Sequence, residues 1–195
     1  PPVMLTSWLA ETKRASRGAW KAVLWDGTEE ACAAAREAQI VLASYARVRL
    51  EATQEIPHPQ FGTMRVYAPE QSRLKRLGYD VIVADESHNL SNWESAQTRA
   101  SIELSKVAAR RYCLTGTGGD DPRKLYGQLY FLAPGLVPLP WDKFVAKHVE
   151  YSPRNAHLVV GYAHLGELNA VVDSVASRLK RAECLKLPAR ATIDL

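Results

Sequence analysis

Cysteine is scarce: Cys32, Cys113 and Cys184 are far apart, odd in number and show no C-x-x-C spacing. That argues against a disulfide scaffold or a zinc site and for a reducing compartment, with a cytoplasmic address as the expectation. No apolar stretch approaches the ~18 residues that a membrane-spanning helix needs. No signal peptide, internal repeat or low-complexity tract is visible either. Strong charge of one sign is also lacking. A net charge of +4 and a pI near 9.0 suit a nucleic-acid partner without requiring one. The basic clusters are short (Lys13-Arg14, Arg73 to Arg76, Arg110-Arg111, Arg178 to Arg181), and each reads as a solvated helix face or helix end. No Gly-Lys pair occurs, so the phosphate-cradling loop G-x-x-x-x-G-K-[ST] is not among these residues.

What is present is enough for one domain with a sizeable core, since 195 residues with 47% hydrophobic content is ordinary for a globular protein. Strand and helix signals alternate over the first two thirds, which predicts a parallel sheet with helices on its faces. Pro2 to Leu5 reads as the end of a strand, followed by a helix from Ser7 to Ala15. Ala22 to Leu24 and Ile40 to Ala43 read as short strands around a helix capped by Thr28. Residues 51–68 carry prolines and no sustained period, so a loop or irregular hairpin is expected. Pro69 to Leu77 is a short basic helix that Gly78 stops. Ala96, Ala100, Leu104, Val107 and Ala108 share one helical face. Asp121-Pro122 opens a helix reaching Leu132. An extended proline-rich connection, Pro134 to Pro140, comes next. A last amphipathic helix carries Leu165, Leu168, Val172 and Val175.

The most informative stretch is Tyr79 to His88. Val81 to Ala84 has the length and composition of a buried strand. It ends in two adjacent acids, Asp85 and Glu86, so it delivers carboxylates to the edge of the sheet where ligands bind in open α/β folds. A second strand signal, Tyr112-Cys113-Leu114, runs into Thr115-Gly116-Thr117. An Asp-Glu pair alone is usually an acidic turn. Here it is paired with Thr-Gly-Thr at the end of a second strand.

The two segments resemble motifs II and III of superfamily-two helicases and translocases, and further blocks are similar to the Swi/Snf-type branch in the family's order. Val3 to Glu11 resembles motif Ia. Ile40 to Arg47 resembles the next block, a strand ending in Ser44-Tyr45. Asp85 to Asn92 with Gln97 to Ala100 is similar to the surroundings of motif II. Leu125 to Leu132 with Pro134-Gly135 matches the block after motif III, and Arg178 to Pro188 resembles the end of the first lobe in phage and bacterial members.

The resemblance implies an α/β, three-layer RecA-like parallel sheet, truncated at the N-terminal strand and P-loop. Residues 1–150 would form the partial lobe, and residues 151–195 its helical end with the start of a connection to a second lobe. It implies an ATP hydrolase that uses ATP and Mg²⁺ and moves on duplex DNA without reading sequence. Asp85 would hold the Mg²⁺, through water, and Glu86 would orient and deprotonate the attacking water. His88, Thr115, Gly116 and Thr117 would couple the γ-phosphate to motion. Ser44, Tyr45 and Asn92 would contact DNA phosphates, while Trp8 reads as packing. Gly118 stands where the family has Pro after Thr-Gly-Thr, which loosens that loop. The chain begins Pro1-Pro2 and reads as cut at both ends, so the chain alone is expected to be inactive. The alternatives are a non-catalytic DNA-binding or docking module with a motor-like fold, and the motor part of a restriction or modification enzyme.

Overall fold

The computed structural model describes residues 2–60, 62–116 and 121–177. Two parallel strand pairs, each joined by a crossover that contains a helix, form its framework. In the first, β1 (Ala22–Leu24) and β2 (Ile40–Leu42) flank α2 (Glu29–Arg36) and pair in parallel, Val23 opposite Val41. In the second, β5 (Tyr79–Ala84) and β6 (Ala108–Cys113) flank α5 (Ala96–Ser105), with Val83 opposite Tyr112 and Ala84 opposite Cys113. Thr28 caps α2 as expected, its side chain accepting from the Ala31 backbone N–H at 3.1 Å. The fold class is therefore α/β with parallel strands and helices packed against them.

The first element departs from expectation. Residues 2–5 are not a strand: α1 runs unbroken over Pro2–Ala15. A three-residue apolar run cannot tell strand from helix by periodicity. Proline at the first helical position has its φ already set, and no glycine follows before Gly18. α5 also ends earlier than its apolar face suggested. Val107 and Ala108 leave the helix, and Ala108 opens β6 as a buried residue. Arg110 and Arg111 consequently lie on a strand rather than on a helix. Arg111 is half-buried, and its guanidinium donates to the Leu132 carbonyl at 3.4 Å.

Between the two units, α3 (Tyr45–Glu51) leads into a regular antiparallel hairpin, β3 (Thr53–His58) and β4 (Gly62–Tyr67). A 3₁₀ turn at Pro69–Gln71 and α4 (Arg73–Leu77) follow, and Gly78 at φ 70° ends α4 in the left-handed region that glycine tolerates. Arg73 of α4 is a structural side chain and not a solvated one. It lies over the Trp25 ring at 5.7 Å, pairs with Glu29 at 2.9 Å and with the buried Glu51 at 3.4 Å, and bonds the Gly27 carbonyl.

The C-terminal third holds α6 (Pro122–Leu132), a 3₁₀ turn at Pro134–Leu136, α7 (Trp141–His148), the antiparallel pair β7 (Val149–Ser152) and β8 (Asn155–Tyr162), and α8 (Leu165–Val175). The boundary expected at residue 150 falls inside β7. Leu168 of α8 packs with Tyr126, Leu129 and Phe144 of α6 and α7, so α8 shares their core. Trp93 meets Tyr126 edge-on at 4.6 Å in the same aromatic cluster. A second core joins Ala84 of β5, Leu90, Ile102 of α5 and Phe131 of α6. On the opposite face of β5 and β6, Val81, Val83 and Tyr112 are about half exposed.

The start of α6 makes a testable anchor. Asp121 accepts from the Arg123 backbone N–H at 2.9 Å and pairs with the Arg123 guanidinium at 2.6 Å. Burial pushes the pKa of this carboxyl up, but its bonds with Arg123 outweigh that and hold it below the ordinary 3.8. A depressed folded-state value adds stability that is present above pH 3.8 and is lost as pH falls through the folded value. Asp121→Ala is expected to cost ~1 kcal/mol at pH 7. In urea titrations the difference from wild type should shrink as the pH drops below the ordinary carboxylate range.

Candidate active site

β5 and β6 end side by side, so both open on the same edge of the sheet. The backbone stays zipped beyond the strands: the Leu114 N–H donates to the Ala84 carbonyl at 2.9 Å, and the Ser87 N–H donates to the Leu114 carbonyl at 2.8 Å. Asp85 and Glu86 leave β5 where Thr115 and Gly116 leave β6. The two exits border an open cavity of about 390 Å³ lined by Asp85, Glu86, Cys113, Leu114, Thr115, Gly116 and Ser177.

Asp85 is held from two sides. The Tyr45 hydroxyl donates to its backbone carbonyl at 2.9 Å, and the Trp8 indole N–H donates to Oδ2 at 3.1 Å. Burial, together with the nearby Cys113, Asp85 and Glu86, pushes the Tyr45 phenol above its ordinary range, so it stays protonated as a donor. Cys113 is likewise kept as a neutral thiol. Burial lifts it to about 11 against the opposing pull of the Ser87 hydrogen bond, so it is no nucleophile at neutral pH.

Glu86 is left-handed, at φ 49° and ψ 50°. For a residue with a Cβ this costs roughly 1–2 kcal/mol and needs support from its surroundings. Its carbonyl accepts from both the Asn89 backbone N–H at 3.0 Å and the Asn89 side-chain amide at 2.9 Å. The kink turns the carboxylate outward, where Oε2 lies 3.2 Å from His88 Nδ1, both side chains being half exposed. Two adjacent acids thus have different settings: one is donated to from the flanking helices, and the other faces the cavity beside an imidazole.

Among the described residues no group of three or more His, Cys, Asp or Glu side chains forms a cage for a metal. Two carboxylates on an open cavity nevertheless suit Mg²⁺, which keeps several waters and takes one or two carboxylates together with substrate phosphates.

The structure therefore brings Asp85, Glu86, His88, Thr115 and Gly116 together, while Thr117 and the block at residues 178–188 lie outside the described residues. Tyr45 meets Asp85 through its hydroxyl. Ser44 caps α3, its hydroxyl accepting from the Arg47 N–H at 3.1 Å. Asn92 is exposed, and its side-chain carbonyl accepts from the Glu94 N–H at 3.1 Å. Three contributors were not visible as such in the sequence. Trp8, read as packing, is 41% exposed and touches Asp85. Asn89 supports the kink, and Gln128 reaches the same turn from α6, its side-chain carbonyl accepting from the Ser87 hydroxyl at 2.7 Å.

Comparison with known families places this chain. Residues 1–179 match the family profile of the SNF2-related domain. The chain belongs to the SNF2-related family. A SWI/SNF-related matrix-associated actin-dependent regulator of chromatin subfamily A-like protein 1 from Bos taurus is 32% identical over 119 residues, covering 57% of this chain and 12% of that protein. The DNA repair protein rad5 of Neurospora crassa is 28% identical over 154 residues, covering 74% of this chain and 12% of that protein. The SNF2-related chain thus spans about an eighth of the length of these relatives. The Sulfolobus solfataricus SWI2/SNF2 ATPase core in complex with dsDNA superposes with a TM-score of 0.62 at 19% identity, over 93% of this chain and 34% of that one, and so shares its fold.

Proposed function

We propose that this SNF2-related chain is the first lobe of an ATP-dependent motor that moves on duplex DNA, with Asp85 and Glu86 as its hydrolytic pair. One observation carries the reading: two parallel strands end together and set Asp85, Glu86, Thr115 and Gly116 around one cavity, with His88 against Glu86. Asp85 would hold the Mg²⁺ of the bound nucleotide, whose chemistry would be to offset charge at the terminal phosphates. Glu86 accepts the proton of the attacking water, and His88 fixes the carboxylate through the 3.2 Å contact. Thr115, Gly116 and Thr117 report the γ-phosphate to a second RecA-like lobe of the same polypeptide. Ser44 and Asn92 flank the path of the DNA, while Tyr45 and Trp8 tie the helices that bear on this path to Asp85.

The test is ATP hydrolysis by the full-length protein, with and without duplex DNA of two unrelated sequences. Stimulation by both duplexes to the same extent is expected, because phosphate contacts position without reading bases. Duplex binding with no hydrolysis would instead support the docking module. DNA binding by the lobe itself should be weak and salt-sensitive, with a log-log slope corresponding to roughly 2 to 4 neutralised phosphates. A preference for one sequence that persists at moderate salt would contradict the reading.

A further inference from the structure

The left-handed Glu86 needs a support that does not move, and the Ser87 side chain provides one. Ser87 is fully buried, at 0% exposure, between the cavity and α6. Its N–H is taken by the Leu114 carbonyl at 2.8 Å, and its hydroxyl donates to Gln128 Oε1 at 2.7 Å. Gln128 is itself 7% exposed and fixed at its other end, Nε2 donating to the Lys124 carbonyl one turn earlier at 3.0 Å. The Cys113 thiol, at the end of β6, points to the Gln128 backbone carbonyl at 3.9 Å. Beside it, Gly127 lets α6 lie against the backbone of the turn, since a Cβ there would meet the Leu90 carbonyl oxygen at 2.1 Å.

We propose that Gln128 is a positioning residue for ATP hydrolysis, holding the Glu86–His88 turn in register with the end of β6 through the buried Ser87 hydroxyl. The inference rests on the reading of Glu86 as the base. A buried hydroxyl deprived of its acceptor loses the full worth of the bond, and the turn it belongs to already carries backbone strain. The freed turn relaxes, and the neighbouring carboxylate loses its aim. Displacement of a reacting group by about 1 Å costs on the order of 100-fold in rate. Gln128 touches neither nucleotide nor metal, so binding is spared and the loss falls on the chemical step.

The experiment uses the full-length protein and compares Gln128→Met, Ser87→Ala, the double variant and Glu86→Gln in single-turnover ATP hydrolysis. Equilibrium nucleotide affinity and a thermal melt are recorded for each. Gln128→Met keeps length and volume without an acceptor, and is expected to lower the single-turnover rate about 10- to 100-fold at near wild-type nucleotide affinity. Ser87→Ala should give a similar loss, and the double variant no further loss, because both remove one bond. Should Gln128→Met fail to fold, Ser87→Ala carries the same prediction. Wild-type rates in Gln128→Met and Ser87→Ala, or losses that vanish once scaled to the folded fraction, would overturn the inference while Glu86→Gln stays inactive. A fully active Glu86→Gln would instead sink the reading of the site itself.

Discussion

Glu86→Gln is expected to lower the DNA-stimulated hydrolysis of ATP by about 100- to 10,000-fold, the usual worth of a positioned general base. The amide keeps the shape of the carboxylate, and it can still bond to His88 across the 3.2 Å contact. The left-handed backbone at φ 49° is as costly for Gln as for Glu, so stability should change little. What the amide cannot do is accept a proton from water. Nucleotide should therefore bind nearly as before, and single-turnover phosphate release should expose the whole deficit. Release at the wild-type rate would mean that another group takes the proton.

Gly127→Ala should destabilise the fold by about 2 kcal/mol, although alanine is favoured over glycine in a helix by ~1 kcal/mol. The two effects oppose each other, and the contact decides. An added Cβ would sit 2.1 Å from the Leu90 carbonyl oxygen and 3.3 Å from Thr98 Cγ2. The first neighbour is backbone in a turn whose Leu90 side chain is wholly buried, so α6 must move. Overpacking of this kind costs about 1–3 kcal/mol, and more where backbone is displaced. Gly166→Ala is the control: a Cβ added at Gly166 has nothing within 4 Å, and the residue sits inside α8. That variant should be neutral or slightly stabilised. Urea midpoints at constant m-value separate the two, and equal midpoints would show that α6 does not rest on this turn.

The residues that announce themselves by composition were legible from the chain alone. Val81 to Ala84 followed by two acids reads as a strand delivering carboxylates to an edge, although Val81 and Val83 are about half exposed where that pattern predicts a buried strand. Asp121-Pro122 marked the start of α6 to the residue. Thr28 and Gly78 punctuated their helices as capping chemistry requires. Local ambiguity hid other elements. Val3-Met4-Leu5 fits strand and helix equally, and only the helix that follows decides for α1. β7 and β8 escaped because His157 to Tyr162 gives a strand pattern only once Tyr151 is there to pair with Val159. Site residues divide in the same way. Asp85, Glu86 and His88 are close in the chain and carry their chemistry openly, whereas Trp8 lies 77 residues from the carboxylate it touches and Gln128 lies 41 from Ser87. Nothing in a local pattern distinguishes that glutamine from any other on an amphipathic helix.

The division of labour between the two acids is tested most directly by titrating Mg²⁺ against nucleotide affinity in the full-length protein, for wild type, Asp85→Asn and Glu86→Gln. Asp85 lies where two donors, the Trp8 indole and the Tyr45 hydroxyl, hold it at the cavity edge. Asparagine there keeps one oxygen but loses the charge that a hard cation requires. Wild type and Glu86→Gln should both tighten their hold on ATP as Mg²⁺ is added, while Asp85→Asn should show little or no tightening over the same range. An Asp85→Asn titration that overlays the wild-type curve would contradict the assignment of this edge as the centre of ATP hydrolysis.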